Sequence, residues 1–295
     1  MIRLSASKLE TFWREEKESC RRRWWFKYPR RLPVAYSGSA GFGDVLHAVL
    51  ERYLKADERG MDPETGAPVV LYPPGWDTPV DRITGAFGDT LSPADAALVK
   101  RLVTKAIAES LLYRAPNRLI EVPFEVHWPD HGGVRLKGAI DMVVLPDMVW
   151  DHKTHKSMSY ARSKPRLVTS PQMLSYALAL LKAQEENGVK LDGVHLKHLV
   201  FAKKEERVRE TPGYVSRDQI LEFEGKLIER AGEMKAYEEI KDVNEWEKIP
   251  GPEPKSRACI AFGGCKFASI CAGVRNGGET PAEYVARYEA SHLLT

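Results

Sequence analysis

Three strand-like segments between residues 119 and 154 constrain the fold of this chain more than any other feature. The segments are LIEVPFEVHW (119–128), VRLKGAIDMVVL (134–145) and MVWDHKT (148–154). Short connections containing Pro, Asp and Gly separate them, which is typical of an antiparallel meander. The chain is therefore predicted to be built around a β-sheet.

Helical patterns lie on both sides of these strands. Ser7 and Glu10 have the spacing of a capping box, which predicts a helix that runs from there until Pro29 stops it. SGSAGFG (37–43) is predicted to be a glycine-rich turn, and residues 60–90 an irregular stretch. A further strand is predicted over 193–202, and further helices over 44–56, from 92, from 170 to about 182, over 216–241 and from 280. This order predicts an α/β or α+β fold with one central mixed β-sheet flanked by helices.

Composition places the chain among globular proteins. Of its 295 residues, 43% are hydrophobic and 29% are charged, which suits a protein with a sizeable core. No apolar run is long enough to span a membrane. The first residues, MIRLSASKLE, lack the apolar stretch of a signal peptide. We therefore expect a cytoplasmic protein that folds as a single domain over 1–295 and has no membrane partner.

Basic residues are clustered, although the net charge is only +3. The segment CRRRWWFKYPRR (20–31) has six basic residues and no acidic one, and five Lys or Arg lie between residues 153 and 166. Such patches are typical of surfaces that bind phosphates. The side chains predicted to contact DNA are Arg21, Arg22, Arg23, Trp24 and Lys156, with Trp24 or else Trp25 stacking on an unpaired base. The alternative is that the aromatic residues pack in the core while the arginines extend to solvent.

Charged residues interrupt the apolar strands. Asp151 and Lys153 lie on the same face of their strand, because side chains alternate between the two faces. Asp141 joins them only if the preceding hairpin has a suitable turn. A two-residue turn would pair Asp141 with residue 152 and point it away, whereas a three-residue connection would pair it with Lys153. We expect the three side chains to converge, the alternative being the solvated face of an ordinary hairpin.

Two carboxylates on neighbouring strands are suited to Mg²⁺ or Mn²⁺, which prefer oxygen ligands. Such an ion polarises a phosphate and lowers the pKa of a bound water. His47 lies on the predicted helix 44–56, and Gln172 and Tyr176 share one face of the helix that starts near 170. Taken singly, these three side chains are as easily explained as ordinary packed or surface residues.

Taken in order, five segments resemble the motifs of RecB-like nucleases, which belong to the PD-(D/E)xK superfamily. They are SASKLETFWREEKESCRRRWWFKY, GDVLHAVLE, GAIDMVV, VWDHKT and QMLSY. The resemblance extends from about residue 4 to 271, except for 57–118. It implies a restriction-endonuclease-like core over about 37–245. It also implies a metal-dependent DNA exonuclease that acts on single strands or ends, with a protein partner, in DNA repair or recombination, phage DNA metabolism or CRISPR adaptation.

The resemblance also implies roles for individual residues. It implies that His47, Asp141 and Asp151 bind the metal and that Lys153 is the catalytic base or a charge stabiliser. Gln172 and Tyr176 would position DNA or the residues of the active site. Glu121 and Glu125 are two candidates for an additional acidic role.

The four cysteines are Cys20, Cys259, Cys265 and Cys271, one before the nuclease motifs and three after them. This layout resembles the CRISPR-associated and helicase-linked RecB-like nucleases, in which four thiolates bind a [4Fe–4S] cluster. Five residues separate each successive pair of the last three cysteines here, where the family has gaps of two and five. The resemblance implies a cluster-binding flap formed by about 1–36 and 246–275. A zinc site and two disulfides are the alternatives; zinc sites favour shorter spacings, and disulfides are rare in reducing compartments.

Two other function classes fit parts of the pattern. One is a non-catalytic DNA-binding or assembly protein, and the other is a zinc-stabilised endonuclease that cuts duplex DNA. The presence of Asp141, Asp151 and Lys153 together favours an enzyme over a binding protein. The sequence has no GxxxxGK[ST] motif, which argues against a built-in helicase.

Overall fold

The computed structural model describes residues 2–13, 20–33, 40–55, 91–113, 115–250, 265–271 and 279–292. The strands are β1 (Arg3–Ser5), β2 (Arg118–Trp128), β3 (Val134–Val144), β4 (Met148–His155), β5 (Gly193–Ala202) and β6 (Arg207–Ser216). The helices are α1 (Ala6–Trp13), α2 (Arg21–Lys27), α3 (Ala40–Lys55), α4 (Pro93–Ala108), α5 (Lys164–Val168), α6 (Pro171–Glu186), α7 (Arg217–Glu239) and α8 (Pro281–His292). Short 3₁₀ helices lie at Pro129–His131, Met158–Tyr160 and Val243–Lys248.

The six strands form one mixed sheet in the order β1-β3-β4-β5-β6, and β2 pairs with the other edge of β3. The pairs β1–β3 and β4–β5 are parallel, and the other pairs are antiparallel. Helices flank this sheet, so the predicted mixed sheet with flanking helices is confirmed. None of the helices in the described part of the chain is long and apolar enough to cross a membrane.

A gap opens in the sheet between β3 and β4. These strands pair only from Val144–Met148 to Met142–Trp150, and β1 takes the same edge of β3 further along, at residues 135–137. The connection over 145–147 has three residues, as the predicted convergence of Asp141 with Asp151 and Lys153 required. Continued by one position, the register sets Asp141 opposite Asp151 and not opposite Lys153 as predicted. The two aspartates therefore stand at the point where the strands separate.

An apolar core covers each face of the sheet. The first core contains residues of α1, α2, α6 and α7. The second core contains residues of α3 and α4 together with Trp150. Gly43 allows α3 to lie close to β4, since a Cβ atom there would be only 3.1 Å from Thr154 Oγ1. The predicted glycine-rich turn is thus partly wrong, because α3 already begins at Ala40.

The basic and aromatic segment packs inward. The ring of Trp24 is fully buried and meets Phe12 edge to face, with 5.0 Å between ring centroids. The structure therefore contradicts the predicted stacking of Trp24 on a base, because the ring has no accessible face. Arg21 lies 3.0 Å from a carboxylate oxygen of Glu233, and Arg22 Nε donates to the Ile249 carbonyl at 2.8 Å. These two arginines are bound within the protein.

The sequence pattern does not predict strands β1 and β6. β1 has only three residues, too few to show a period. β6 contains Pro212 and Gly213, which disfavour strands, and it tolerates proline because it is an edge strand. The predicted irregular stretch 60–90 lies outside the described residues.

Candidate active site

Three metal-ligating side chains meet beside the gap between β3 and β4. His47 of α3, Glu121 of β2 and Asp141 of β3 each offer one ligand atom, and these atoms all lie within 4.8 Å of one another. His47 Nδ1 is 4.0 Å from Asp141 Oδ2. Carboxylate oxygens and an imidazole nitrogen are ligands that divalent metals accept. This group is therefore a candidate metal site.

Along β2 and β3, side chains of the same parity switch from one face of the sheet to the other. This switch brings the carboxylates of Glu121 and Asp141 to the gap between β3 and β4. On β2, Phe124 packs against the first core, whereas Ile120 packs against the second although the two positions have the same parity. On β3, Ile140 and Met142 are divided between the two cores in the same way. Between Ile120 and Phe124, Glu121 has φ 51°, a conformation that residues other than glycine rarely adopt.

Glu121 is not paired in the ladder, but the register on either side of it sets it opposite Asp141. Burial, together with the nearby charges of Asp141 and Glu51, raises the pKa of Glu121 to about 7. A strained backbone and a raised carboxyl pKa at one residue are typical of a functional site. Glu125 has no part in it, because it binds Lys137 at 2.7 Å and Arg135 at 3.2 Å.

A backbone group of β4 holds Asp141. The N–H of His152 donates to Asp141 Oδ2 at 2.6 Å, which satisfies an amide at the point where the strands part. His152 Nδ1 lies 3.8 Å from the same oxygen. Burial and the neighbouring His47 lower the pKa of His152 to about 3, so its ring is neutral.

Asp151 has different surroundings. Its side chain is fully buried, and Oδ1 accepts hydrogen bonds from Lys153 Nζ at 2.8 Å and Gln172 Nε2 at 3.1 Å. Burial acts to lower the pKa of Lys153, but Asp151 and Asp141 outweigh it and raise the pKa above its ordinary value. Lys153 is therefore a firmly held cation. Asp151, predicted as a metal ligand, lies outside the group that His47, Glu121 and Asp141 form.

Helix α6 fixes the second side of the site. Gln172 Nε2 donates both to Asp151 and, at 2.9 Å, to the hydroxyl of Tyr176. Burial and Asp151 raise the pKa of Tyr176, so this hydroxyl stays neutral. The two residues predicted to share a helix face thus touch each other, and Gln172 reaches a carboxylate of the site.

Glu10 holds the start of α6 and not the start of its own helix. Its carboxylate accepts from the N–H of Gln172 at 3.3 Å and from Ser170 Oγ at 3.2 Å, and Arg162 Nη2 lies 2.6 Å away. The predicted capping box is wrong, because Ser5 Oγ, not Ser7, accepts the N–H of Lys8 at 3.3 Å.

Two histidines that the motifs do not single out line the same region. His152 supports Asp141, and His198 of β5 places Nε2 3.5 Å from Asp151 Oδ2. Burial lowers the pKa of His198 to about 3, although Asp151 opposes this shift. The signal in the sequence is a histidine within the otherwise apolar run HLVFA, since buried polar residues are uncommon without a partner.

Cys20 and Cys271 lie at the N-terminal end of α2. Cys20 Sγ accepts the N–H of Arg23 at 3.3 Å, and Arg22 Nη1 lies 3.6 Å from Cys271 Sγ. Cys265 and Cys271 pack against the first core. Cys259 lies outside the described residues, so the structure places three of the four predicted ligands.

The family model of the PD-(D/E)XK nuclease superfamily matches residues 3–272, which include every residue of this site. The chain belongs to the PD-(D/E)XK nuclease superfamily. This membership, together with the group of His47, Glu121 and Asp141, supports a nuclease that uses divalent metals.

A solved structure shares the fold. A crystal structure titled "Putative exonuclease", from Eubacterium rectale, covers 84% of this chain and 83% of its own, with 9% identity and a TM-score of 0.51. The structure of SSO0001 covers 77% of this chain and 85% of its own, with 13% identity and a TM-score of 0.30. A search of curated proteins gives no match.

Proposed function

We propose that this chain is a DNA nuclease that hydrolyses phosphodiester bonds at the gap between β3 and β4. The observation that carries the proposal is the group of His47, Glu121 and Asp141, beside the ion pair of Lys153 and Asp151. An opening lined by metal ligands and a fixed cation suits a polyanionic substrate.

The side chains fit Mg²⁺ or Mn²⁺. Both ions take carboxylate oxygens, and Mg²⁺ keeps several waters, so few protein ligands suffice. Among the described residues, Asp151 Oδ2 has no hydrogen-bond donor although it is buried. A buried carboxylate oxygen is costly unless a donor or a cation satisfies it, which supports Asp151 as a further ligand. When bound, the ion supplies polarisation of the phosphate and a water of lowered pKa.

Lys153 is proposed to stabilise negative charge on the reacting phosphate. Its raised pKa keeps the ammonium group protonated, so it has no lone pair with which to accept a proton at neutral pH. Of the two roles implied by the family, the charge stabiliser fits this geometry better than the base. Gln172 is a positioning residue, because it holds Asp151 from α6.

The proposed mode of action is exonucleolytic, on single strands or DNA ends. The description of the Eubacterium rectale protein as an exonuclease supports this choice. Arg23 and Lys156 keep their proposed contacts with DNA. The proposed class is the iron–sulfur subset of RecB-like nucleases.

The proposed [4Fe–4S] cluster rests on the cysteines around α2. Cys20 and Cys271 already take hydrogen bonds from Arg23 N and Arg22 Nη1, and such donors stabilise thiolates. The last three cysteines are separated by five residues each, without the short C-x2–4-C spacing that zinc sites favour, and this supports a cluster over zinc.

Cleavage of end-labelled oligonucleotides tests the nuclease. With Mg²⁺ or Mn²⁺ we expect a linear single strand to be degraded, and an Asp151→Ala variant to be inactive. A circular single strand has no ends, so it should survive. Cutting of the circle would contradict an exonuclease, and binding without any cleavage would favour the non-catalytic DNA-binding protein.

Metal analysis after anaerobic purification tests the cluster. About four irons and four acid-labile sulfides per chain are expected. The Cys20→Ala variant should lose both and unfold more readily. One zinc without sulfide would refute the cluster and leave the nuclease proposal untouched.

A further inference from the structure

We propose that Tyr160, His155, Lys156 and Lys204 form a surface that grips the unpaired DNA strand next to the cleavage site; this rests on the nuclease function proposed above. Tyr160 ends the 3₁₀ helix Met158–Tyr160, and 48% of its surface is exposed. Its ring lies 6.5 Å from that of His155, at an interplanar angle of 54°. An exposed tyrosine with a second ring beside it offers a face on which a base can stack.

This surface, called here the Tyr160 platform, lies beside the site because β4 carries part of both. Asp151, Lys153 and His155 occupy alternate positions of β4, so their side chains point to one face. The ring of His155 is 6.5 Å from that of His198, whose Nε2 is 3.5 Å from Asp151. Successive nucleotides of a strand are about 3.4 Å or more apart. A base only a few nucleotides from the reacting phosphate would therefore reach Tyr160.

Two lysines add positive charge to the platform. Lys156 and Lys204 are exposed, and the N–H of Lys204 donates to the Lys156 carbonyl at 2.9 Å. The end of β4 and the β5–β6 connection are thus joined, which keeps the two lysines together. Ammonium groups beside a stacking ring can contact the phosphates that flank the stacked base.

The platform has a fixed support. Glu205 accepts hydrogen bonds from Ser157 Oγ at 2.5 Å and from the N–H of Met158 at 3.0 Å, at the start of the 3₁₀ helix. Glu205 is the acidic residue nearest to the lysines in sequence, and it is engaged with the protein. The helix that presents Tyr160 is therefore held in place before DNA arrives.

The chemistry selects an unpaired strand. In a duplex, neighbouring base pairs cover the faces of each base, so a tyrosine cannot stack without unstacking the helix. An unpaired base has an open face, and stacking on it tolerates any sequence. The Tyr160 platform therefore favours single-stranded DNA or a frayed end.

The chain offers a matched control at the other end of the β5–β6 hairpin. There Tyr214 is 44% exposed and its ring lies 5.0 Å from that of His195. Nε2 of His195 lies 4.0 Å from the carboxylate of Asp147. The rings of Tyr214 and His195 therefore lie beside an acidic residue, whereas those of Tyr160 and His155 lie beside two lysines. Residue type and exposure match, while the local charge differs.

Fluorescence anisotropy in EDTA tests the platform without cleavage. The probes are a labelled thymidine oligonucleotide and an abasic strand of equal length. We expect the wild type to bind the thymidine strand about 10-fold more tightly, since stacking is lost on the abasic strand. Tyr160→Ala should abolish this preference, whereas Tyr160→Phe and Tyr214→Ala should keep it. Lys156→Gln should weaken binding to both strands and lower the salt dependence.

A wild type without the preference, or a Tyr160→Ala variant that keeps it, would overturn the platform. Either result would leave the cleavage assay unaffected. Conversely, a protein that shows the preference but cleaves no DNA would refute the nuclease function while retaining the platform. The two proposals therefore fail in distinguishable ways.

Discussion

The two aspartates at the gap in the sheet have opposite surroundings. Asp141 is partly exposed and faces His47 and Glu121, which present further ligand atoms. Asp151 is fully buried, and Lys153 and Gln172 already bind its Oδ1. The side of the gap that carries Asp141 is thus suited to binding a metal cation, whereas the side that carries Asp151 already holds the ammonium group of Lys153. In the proposed site, Asp141 binds the metal with His47 and Glu121, whereas Asp151 orients Lys153 through Oδ1 and adds Oδ2 as a further ligand.

The largest effect is expected from Asp141→Asn, which removes a charge from the metal group. Mn²⁺ binding should be lost, and cleavage should fall by more than about 100-fold, since even residues that only support metal ligands contribute 10–100-fold. The free energy of unfolding should change little, because asparagine keeps a side-chain oxygen that can accept the N–H of His152. Calorimetric Mn²⁺ titration, cleavage rates and urea unfolding measure the three quantities. Unchanged Mn²⁺ affinity would remove Asp141 from the metal site.

Asp151→Asn should reduce stability as well as activity, in contrast to Asp141→Asn. Lys153 would lose the carboxylate that compensates its charge, and we expect the free energy of unfolding to decrease by about 2 kcal/mol. Urea unfolding in EDTA measures this change. Asp147→Asn, on the exposed connection between the same two strands, controls for loss of an acidic residue and should be nearly neutral. Equal destabilisation by the two variants would contradict the division of roles.

The placement of Asp151 beside Lys153 could be predicted from the sequence. The placement of Asp141 beside its neighbours could be predicted only in part. Strand alternation alone puts Asp151 and Lys153 on one face, and a three-residue connection was enough to bring Asp141 near them. Alternation cannot choose between Glu121 and Glu125, which have the same parity. The choice depends on the left-handed backbone of Glu121, and a glutamate gives no local sign that it will adopt that conformation.

Long-range contacts explain why the basic and aromatic segment was misjudged in part. The pattern of alternating arginines and aromatic residues is equally suited to a nucleic-acid surface and to a core with solvated edges. The partners that decide between them are distant in sequence: Arg21 binds Glu233, and the indole N–H of Trp25 donates to the carbonyl of Tyr237. A local pattern contains no information about residues more than 200 positions away.

Gln172→Ala tests whether α6 acts on the site through Asp151. The variant leaves Asp151 Oδ1 with Lys153 alone, so the carboxylate is less firmly oriented. We expect kcat to fall about 10-fold while Mn²⁺ affinity is unchanged. Gln184→Ala, which changes a buried glutamine of the same helix, controls for loss of packing and should leave kcat nearly unaltered. A fall in kcat of similar size in both variants would make Gln172 a merely structural residue.

Glu121→Gln is expected to give the smallest effect, and it tests the metal site sharply because the size of the change in stability depends on pH. Burial and Asp141 raise the pKa of Glu121 to about 7 in the folded chain. As pH rises from about 4.5 to 7, the unfolded chain loses this proton first, so the free energy of unfolding of the metal-free protein decreases. Glutamine cannot ionise, and it should stabilise the protein at pH 8 by on the order of 1 kcal/mol, with a smaller gain at pH 5.

Glu125→Gln is the matched control, since Glu125 lies on the same strand. A hydrogen bond from Lys137 and the charges of Lys137 and Arg135 lower the pKa of Glu125, so its ionised form favours the folded chain. Its replacement should therefore reduce stability at pH 8, opposite in sign to Glu121→Gln. Urea unfolding of both variants in EDTA at the two pH values gives the comparison. Responses of the same sign would show that Glu121 is not under electrostatic stress from Asp141, and the metal site would lose its third ligand.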